Sequence, residues 1–346
     1  MTHTIAYLPG DGVGPEVASA ARSVIEKVAD KFNLSLEFKE AHFGGAAIDA
    51  TGHPFPDETK SICDDADAIL LGAVGGPKWD GAEIRPEKGL LEIRQRLGLF
   101  ANLRPIAVMA GMERHSPLKT EIAKNTDILI IRELNGGVYY GKRVEGTEKA
   151  SDLSEYSRRE VERIARIAFE TARGRRSKVT SVDKANVLAT SRLWRTVVTE
   201  LQVSDYSDVT LEHQLVDSMA MKLVTNPSDY DVLLTENMFG DILSDEASVI
   251  AGSIGLAPSA SLNEKKAGLY EPIHGSAPDI AGQGKANPIG AVLSGAMLLR
   301  HSLGENDAAT TIEVAVQNTI HSGTITSDLG GSASTIDVTR AVCAAL

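Results

Sequence analysis

Short apolar strands alternate with amphipathic helices along this chain, and that alternation is the strongest constraint on its fold. Amphipathic helices are predicted after Pro15, which suits a first helical turn, and over Arg158–Arg173. The predicted strands cover residues 5–8, 68–71, 127–131, 179–182 and 231–235. This pattern predicts an α/β architecture.

Length and charge limit the kinds of partner. The chain has 346 residues, which predicts about two domains, and its composition is that of a globular protein. The net charge of −12 argues against nucleic acid and membrane partners. Cys63 and Cys343 lack metal-ligand spacing and are predicted to be buried small hydrophobes. The start of the sequence shows no signal-peptide pattern, so we expect a cytoplasmic protein.

An acidic run follows the strand predicted at 231–235. Asp241 and Asp245 stand four residues apart, so a helix would place both carboxylates on one face. Two such carboxylates past a strand end suit a hard cation, Mg²⁺ or Mn²⁺. A solvated helix face is the alternative.

Arginines recur beside predicted turns and strand ends, at Arg94, Arg104 and Arg132. The planar guanidinium matches a carboxylate with two parallel hydrogen bonds. Each of them taken singly also fits an ordinary surface residue. Arg132 is the exception, because an arginine that closes an aliphatic strand needs a partner to offset its desolvation.

Three further residues carry candidate chemistry. Tyr139 follows a glycine turn and is either a packing residue or a proton donor. Lys184 ends an apolar strand, where it is either a base of lowered pKa or the salt-bridge partner of Asp183. Asp217 lies in an apolar stretch that disfavours an unpaired carboxylate, and a metal-ligand role would explain it.

Two glycine-containing segments differ in whether they are expected to bind a ligand. Residues 271–282 form a long loop of small residues, which lets a flat or charged ligand approach backbone N–H groups. Residues 10–14 follow a strand but read G-x-G-x-G, and no acidic strand end lies about 20 residues on. A Rossmann dinucleotide site at residues 10–14 is therefore not expected.

Together these residues resemble the β-decarboxylating dehydrogenase family, whose members act on isocitrate, isopropylmalate, homoisocitrate and tartrate. The similarity extends over nearly the whole chain. Its most specific stretches are residues 71–79, 100–105, 132–139, 181–186, 237–245 and 274–282.

The resemblance implies a three-layer α/β fold of the isopropylmalate/isocitrate dehydrogenase type, which is not a Rossmann fold. Two domains would share a continuous mixed β-sheet. Residues 1–99 and 253–346 would form the cofactor-binding domain, and residues 100–252 would supply dimerisation, metal and substrate residues. It also implies a homodimer in which Lys184 and Asp217 reach the neighbouring subunit's site.

The implied reaction is oxidative decarboxylation of a small 2-hydroxy diacid by NAD. One Mg²⁺ or Mn²⁺ per subunit would be held by Asp217, Asp241 and Asp245. Lys184 would act as the base and Tyr139 would protonate the enolate. The residues expected to contact substrate are Arg94, Arg104, Arg132, Asp217, Glu87, Leu90 and Leu91.

Substrate choice is expected to depend on Leu90 and Leu91, because they offer an apolar wall where the isocitrate enzymes place a hydroxyl-bearing side chain. Glu87 would further disfavour an anionic substituent. The expected substrate is (2R,3S)-3-isopropylmalate, converted to 4-methyl-2-oxopentanoate and CO₂ in leucine biosynthesis. Homoisocitrate and tartrate or D-malate are the alternatives within the family.

The resemblance also assigns the cofactor residues. Asp279-Ile280 stands where NADP-dependent members carry Lys-Tyr, and an aspartate repels a 2′-phosphate, so NAD is expected. The expected cofactor contacts are Gly75, Gly76, Glu271, His274, Gly275, Ser276, Ala277, Pro278, Asp279, Ile280 and Asn287. Two other classes, a Mg²⁺-dependent phosphoryl-transfer enzyme and an inactive binding protein, fit less well, since the sequence lacks a P-loop lysine pattern and keeps the catalytic set.

Overall fold

The computed structural model describes residues 2–265 and 267–346. The chain forms two compact units, one of Met1–Leu99 with Ser253–Leu346 and one of Phe100–Gly252.

The strands are β1 (Thr2–Gly10), β2 (Ser35–Glu40), β3 (Ala68–Ala73), β4 (Ala101–Ala107), β5 (Asp127–Glu133), β6 (Arg143–Val144), β7 (Ser151–Asp152), β8 (Lys178–Asp183), β9 (Thr210–Leu215), β10 (Val232–Thr235), β11 (Pro258–Leu262) and β12 (Gly268–Pro272). The α-helices are α1 (Gly14–Phe32), α2 (Gly45–Thr51), α3 (Asp57–Asp64), α4 (Pro86–Arg96), α5 (Thr120–Ala123), α6 (Arg158–Arg173), α7 (Ala189–Asp205), α8 (Val216–Thr225), α9 (Asn237–Ile250), α10 (Ile289–Leu298), α11 (Asn306–His321) and α12 (Thr335–Ala345). Short turns include a 3₁₀ segment at Gly137–Tyr139 and a π-helical segment at Leu299–Leu303.

In the first unit the strand order is β2-β1-β3-β12-β11. The pairs are parallel except β11 with β12, which is antiparallel. Helix α10 is apolar almost all round and is buried against β11, β12, α1 and α11. A helix with no polar face belongs in such a core.

In the second unit the strand order is β4-β5-β10-β8-β9, with only β4 and β5 antiparallel among these pairs. Helix α6 packs against β5, β8 and β10, and a capping box of Ser157 and Glu160 fixes its start. The parallel strands β5, β10 and β8 end at one edge of the sheet. Their ends place Arg132, Glu236 and Asp183 at that edge, where α/β proteins bind ligands.

The predicted α/β fold, with a mixed and mostly parallel sheet, is confirmed. The predicted helix Arg158–Arg173 has the predicted bounds. Among the predicted strands, β1 is longer than predicted by five residues and β3, β5 and β8 by two each, whereas β10 is one residue shorter because it begins at Val232. Two expectations are wrong in part. Glu271 and Pro272 belong to β12 and not to a loop, and Cys343 is only half-buried, whereas Cys63 is buried. Within residues 2–265 and 267–346, no helix has the length and apolar character needed to cross a membrane.

Candidate active site

Three side chains of the second unit converge on the carboxylate of Asp241. Arg132 donates a hydrogen bond to its Oδ1, and the Tyr139 hydroxyl donates to its Oδ2 at 2.9 Å. Arg104 Nη2 lies 3.4 Å from Oδ1. The solvated-face alternative is therefore wrong for Asp241. Asp245, one turn further along α9, is exposed and lies 3.5 Å from Arg104 Nη1.

The two arginines are buried, and neighbouring side chains accept hydrogen bonds from their guanidinium groups. Arg104 and Arg132 are 6% and 2% exposed, so the surface-residue alternative is wrong for both. Arg104 donates from Nε to Asn102 Oδ1 at 2.7 Å and from Nη1 to Ser244 Oγ at 2.6 Å. Arg132 donates from Nε and Nη2 to Asn237 Oδ1 at 3.0 and 2.7 Å. The guanidinium groups are thereby fixed in orientation before any ligand arrives.

Gly240 explains how α9 packs so closely on β5 and β10. A Cβ atom at this position would lie 2.3 Å from Thr235 Oγ1 and 2.7 Å from Arg132 Cγ. Any larger residue would push the helix, and with it Asp241, away from the arginine.

The environment of Tyr139 suits a proton donor. Burial, followed by the negative charge of Asp241, raises the pKa of Tyr139 to about 12. The phenol therefore stays protonated at neutral pH. Its 3₁₀ turn is anchored by Glu133, whose carboxylate accepts hydrogen bonds from the N–H groups of Asn135 at 3.2 Å and Gly136 at 2.7 Å.

Asp241 and Asp245 offer oxygen ligands of the kind that Mg²⁺ and Mn²⁺ prefer. Loss of hydration raises the pKa of Asp245, which the positive charge of Arg104 opposes and the charge of Asp241 reinforces. A cation beside both carboxylates would relieve that repulsion, so these residues fit a metal. Across the described part of the chain, no three His, Cys, Asp or Glu side chains come together in a metal-binding group.

Lys184 and Asp217 contact each other. Lys184 Nζ lies 2.5 Å from Asp217 Oδ1, and this hydrogen bond lowers the pKa of Asp217. The alternative pairing of Lys184 with Asp183 is wrong, because Asp183 accepts from Arg195 Nε at 2.8 Å and Nη2 at 2.9 Å. The expected apolar surroundings of Asp217 are also wrong. Its side chain is 62% exposed, because α8 turns its other face, with Met219, inward.

The predicted substrate residues of the first unit lie on α4. Arg94 is buried in the last turn of that helix, not beside a strand end, and its Nη2 donates to Glu271 Oε1 at 3.0 Å. The structure thus pairs a predicted substrate residue with a predicted cofactor residue. Leu90 and Leu91 are half-buried, with Leu90 packed against the hydrophobic core, and Glu87 is exposed.

A pocket of about 370 Å³ lies beside the segment between β12 and α10. Such a volume suits part of a small-molecule ligand. His274 lines it, with its Nε2 buried and without a partner among the described residues. Loss of hydration lowers the pKa of His274, which keeps its ring neutral. The predicted residues that line the pocket are His274, Gly275, Ala277, Ile280 and Asn287.

The remaining predicted cofactor residues lie outside this lining. Ser276 is buried, whereas Pro278 and Asp279 are exposed. Gly75 donates from its N–H to Asp11 Oδ2 at 2.8 Å, and Gly76 follows it in the turn.

Sequence reasoning missed several residues that build these sites. Asn102, Asn237 and Ser244 orient the arginines, and Asp328 accepts from Asn287 Nδ2 at 3.0 Å and Ser253 Oγ at 2.5 Å in the pocket. The sequence could have indicated a structural role for Asn102, since an amide inside an apolar strand needs a hydrogen-bond partner.

Fold and site together define an α/β protein in which two buried arginines and a tyrosine surround one carboxylate. The sequence pattern of the isocitrate/isopropylmalate dehydrogenase family matches residues 4–342. The chain is 54% identical to 3-isopropylmalate dehydrogenase of Streptococcus thermophilus, over 99% of both chains. It is 53% identical to the Bacillus subtilis protein of the same name, over 100% of this chain and 98% of that one. The crystal structure of isocitrate dehydrogenase from Methylococcus capsulatus superimposes with a TM-score of 0.90 at 34% identity, over 99% of both chains. This protein belongs to the isocitrate/isopropylmalate dehydrogenase family.

Proposed function

We propose that this protein catalyses the NAD-dependent oxidative decarboxylation of (2R,3S)-3-isopropylmalate to 4-methyl-2-oxopentanoate and CO₂, a step of leucine biosynthesis. The relatives named 3-isopropylmalate dehydrogenase support the substrate. The structural observation that carries the proposal is the convergence of Arg104, Arg132 and Tyr139 on Asp241.

The groups of this cluster, together with Lys184, would each have a role in the reaction. Arg104 and Arg132 would hold the substrate carboxylates, because their guanidinium planes are already fixed. Lys184 would take the proton of the C2 hydroxyl, and NAD bound in the pocket beside His274 would supply the acceptor for the C2 hydride. The C3–carboxylate bond then breaks and releases CO₂. Tyr139 would return a proton to C3, which its protonated phenol allows.

Asp241 and Asp245, with Asp217 of the partner subunit, would hold one Mg²⁺ or Mn²⁺. A cation bound there would act as a Lewis acid that polarises the C2 oxygen. The carboxylates themselves set the position and charge of that site.

A homodimer is part of the proposal. Helices α8 and α9 pack against each other, and both carry exposed apolar side chains, at Met221, Val224, Ile242 and Val249. Large exposed apolar residues on adjoining helices are typical of a protein interface. Dimerisation would let Lys184 and Asp217 act in the neighbouring site. A cytoplasmic location stays a prediction.

We also propose that four residues of the first unit contact the substrate: Arg94, Glu87, Leu90 and Leu91. Leu90→Ser should lower kcat/KM for 3-isopropylmalate relative to D-malate by about tenfold, because an apolar wall for the isopropyl group is lost. An unchanged ratio of the two kcat/KM values would remove Leu90 from substrate selection.

The cofactor proposal assigns NAD to the pocket beside His274 and to Asp279 and Ile280. Asp279→Lys combined with Ile280→Tyr should raise kcat/KM with NADP, because the negative charge that repels the 2′-phosphate is replaced. If NADP use does not rise, Asp279 does not control cofactor choice.

The whole proposal is tested by NADH absorbance with a panel of 2-hydroxy diacids, each assayed with NAD or NADP and with Mg²⁺ or EDTA. We expect 3-isopropylmalate with NAD and Mg²⁺ to give the highest kcat/KM. A higher value with isocitrate, homoisocitrate, tartrate or D-malate would overturn the substrate assignment.

A further inference from the structure

We propose that Glu16 is a positioning residue for the cofactor loop, defined as residues 273–287. This inference rests on the proposed function, because it takes this loop as part of the NAD site. Glu16 lies in the first turn of α1, outside the residues assigned above to substrate or cofactor contact.

One carboxylate holds two backbone N–H groups of the loop. Glu16 Oε1 accepts from Gly282 N at 2.5 Å, and its Oε2 accepts from Gly284 N at 3.1 Å. Hydrogen bonds to an ionised carboxylate are stronger than those between neutral groups. Both glycines have left-handed backbone angles, with φ of +73° and +64°. Alternating left-handed residues direct nearby N–H groups toward one anion, which here is the Glu16 side chain.

The segment held by Glu16 continues into the residues that are proposed to choose the cofactor. Gln283 donates from its Nε2 to the Asp279 carbonyl at 2.7 Å and from its backbone N–H to the Ile280 carbonyl at 3.2 Å. Fixing Gly282 and Gly284 therefore fixes the turn that presents Asp279 and Ile280.

The same end of α1 also holds the beginning of the loop. Val13, which precedes the helix, donates from its N–H to the Ser276 carbonyl at 2.8 Å. Residues 13 and 16 thus hold the loop at two points, Ser276 and the Gly282–Gly284 pair. The glycine-rich segment 10–14, where a Rossmann site is not expected, packs against this loop and supports it. A Cβ atom at Gly12 would lie 2.0 Å from the Ser276 carbonyl oxygen.

The test compares Glu16→Ala, Glu16→Gln and the control Glu26→Ala, which removes an exposed carboxylate from the same helix. Isothermal titration with NAD gives the dissociation constant without turnover. Limited trypsin digestion at the exposed Lys285 reports loop mobility without any cofactor. Steady-state kinetics give the KM for each substrate separately.

We expect Glu16→Ala to raise the NAD dissociation constant about tenfold, equivalent to about 1.4 kcal/mol, and to speed cleavage at Lys285 several-fold. Glu16→Gln keeps one acceptor oxygen and should lie between wild type and Glu16→Ala. The KM for 3-isopropylmalate should change less than about twofold, which is well under the tenfold effect on NAD. Glu26→Ala should match wild type.

Unchanged NAD affinity in Glu16→Ala would overturn the inference. The inference would also be overturned if NAD affinity and the KM for 3-isopropylmalate worsened equally and both Glu16 variants had a lower melting temperature. Such a result would indicate that Glu16 has a general structural role. A wild-type protein that binds NAD but does not oxidise 3-isopropylmalate would refute the proposed substrate. The NAD titrations would still decide the role of Glu16.

Discussion

Asp241 and Asp217 are proposed to bind the same cation, yet their surroundings in the second unit differ in contacts and exposure. Asp241 is contacted by two buried arginines and a tyrosine. Asp217 is mostly exposed, and its carboxylate forms a salt bridge with Lys184. The Asp241 cluster thus forms within one chain, whereas Lys184 and Asp217 present their charges outward, which is the arrangement that the proposed homodimer requires.

The largest expected effect is that of Asp241→Asn. Because Arg132 is 2% exposed, it would lose its charged partner while staying buried. We expect kcat/KM to fall about 10³-fold and the melting temperature to drop. Asp217→Asn should also reduce activity but leave the melting temperature unchanged. Equal melting temperatures for the two variants would contradict the comparison.

Lys184→Ala should lower kcat about 10²-fold, which is a typical contribution of a general base. Since the Lys184 ammonium group pairs with an exposed carboxylate at 2.5 Å, the fold and NAD binding should be retained. Lys222→Ala, which changes an exposed lysine of α8, is the matched control. Turnover equal to that of the control would exclude Lys184 from catalysis.

Asn237→Ala probes the support behind Arg132. The variant leaves two guanidinium donors without their acceptor, which should destabilise the protein by about 2 kcal/mol and lower kcat/KM about tenfold. Urea unfolding and steady-state kinetics measure the two effects. A loss of stability with full activity would mean that Asn237 does not orient Arg132 for catalysis.

The smallest effect is expected from Ser244→Ala, which removes the 2.6 Å hydrogen bond to Arg104. Other bonds still hold that arginine, so we expect the KM for 3-isopropylmalate to rise about threefold. Ser248→Ala is the control, because its hydroxyl donates to the Asp245 backbone carbonyl, at 2.7 Å, and not to an arginine. Identical KM values would remove Ser244 from the site.

Local patterns predicted local structure well. Apolar spacing predicted the helix Arg158–Arg173, and an arginine after an aliphatic strand correctly predicted that Arg132 has partners. Both inferences depend on a few neighbouring residues. The spacing of Asp241 and Asp245 likewise predicted a shared helix face.

Predictions failed where the answer depends on tertiary structure. The neighbours of Asp217 are apolar in sequence, but α8 directs them to another face and leaves the carboxylate exposed. Arg94 and Glu271 form an ion pair across 177 residues of sequence, which no local pattern encodes. The support of the cofactor loop by Glu16 is similarly distant in sequence.

The central claim, that each site uses Lys184 from one subunit and Asp241 from the other, is tested by mixing two inactive variants. Asp241→Asn and Lys184→Ala chains carrying different affinity tags would be co-expressed, and the doubly tagged dimer isolated. Each such dimer holds one site with both defects and one with neither, so we predict about half of the wild-type activity. Doubly tagged dimers as inactive as their parents would contradict the account.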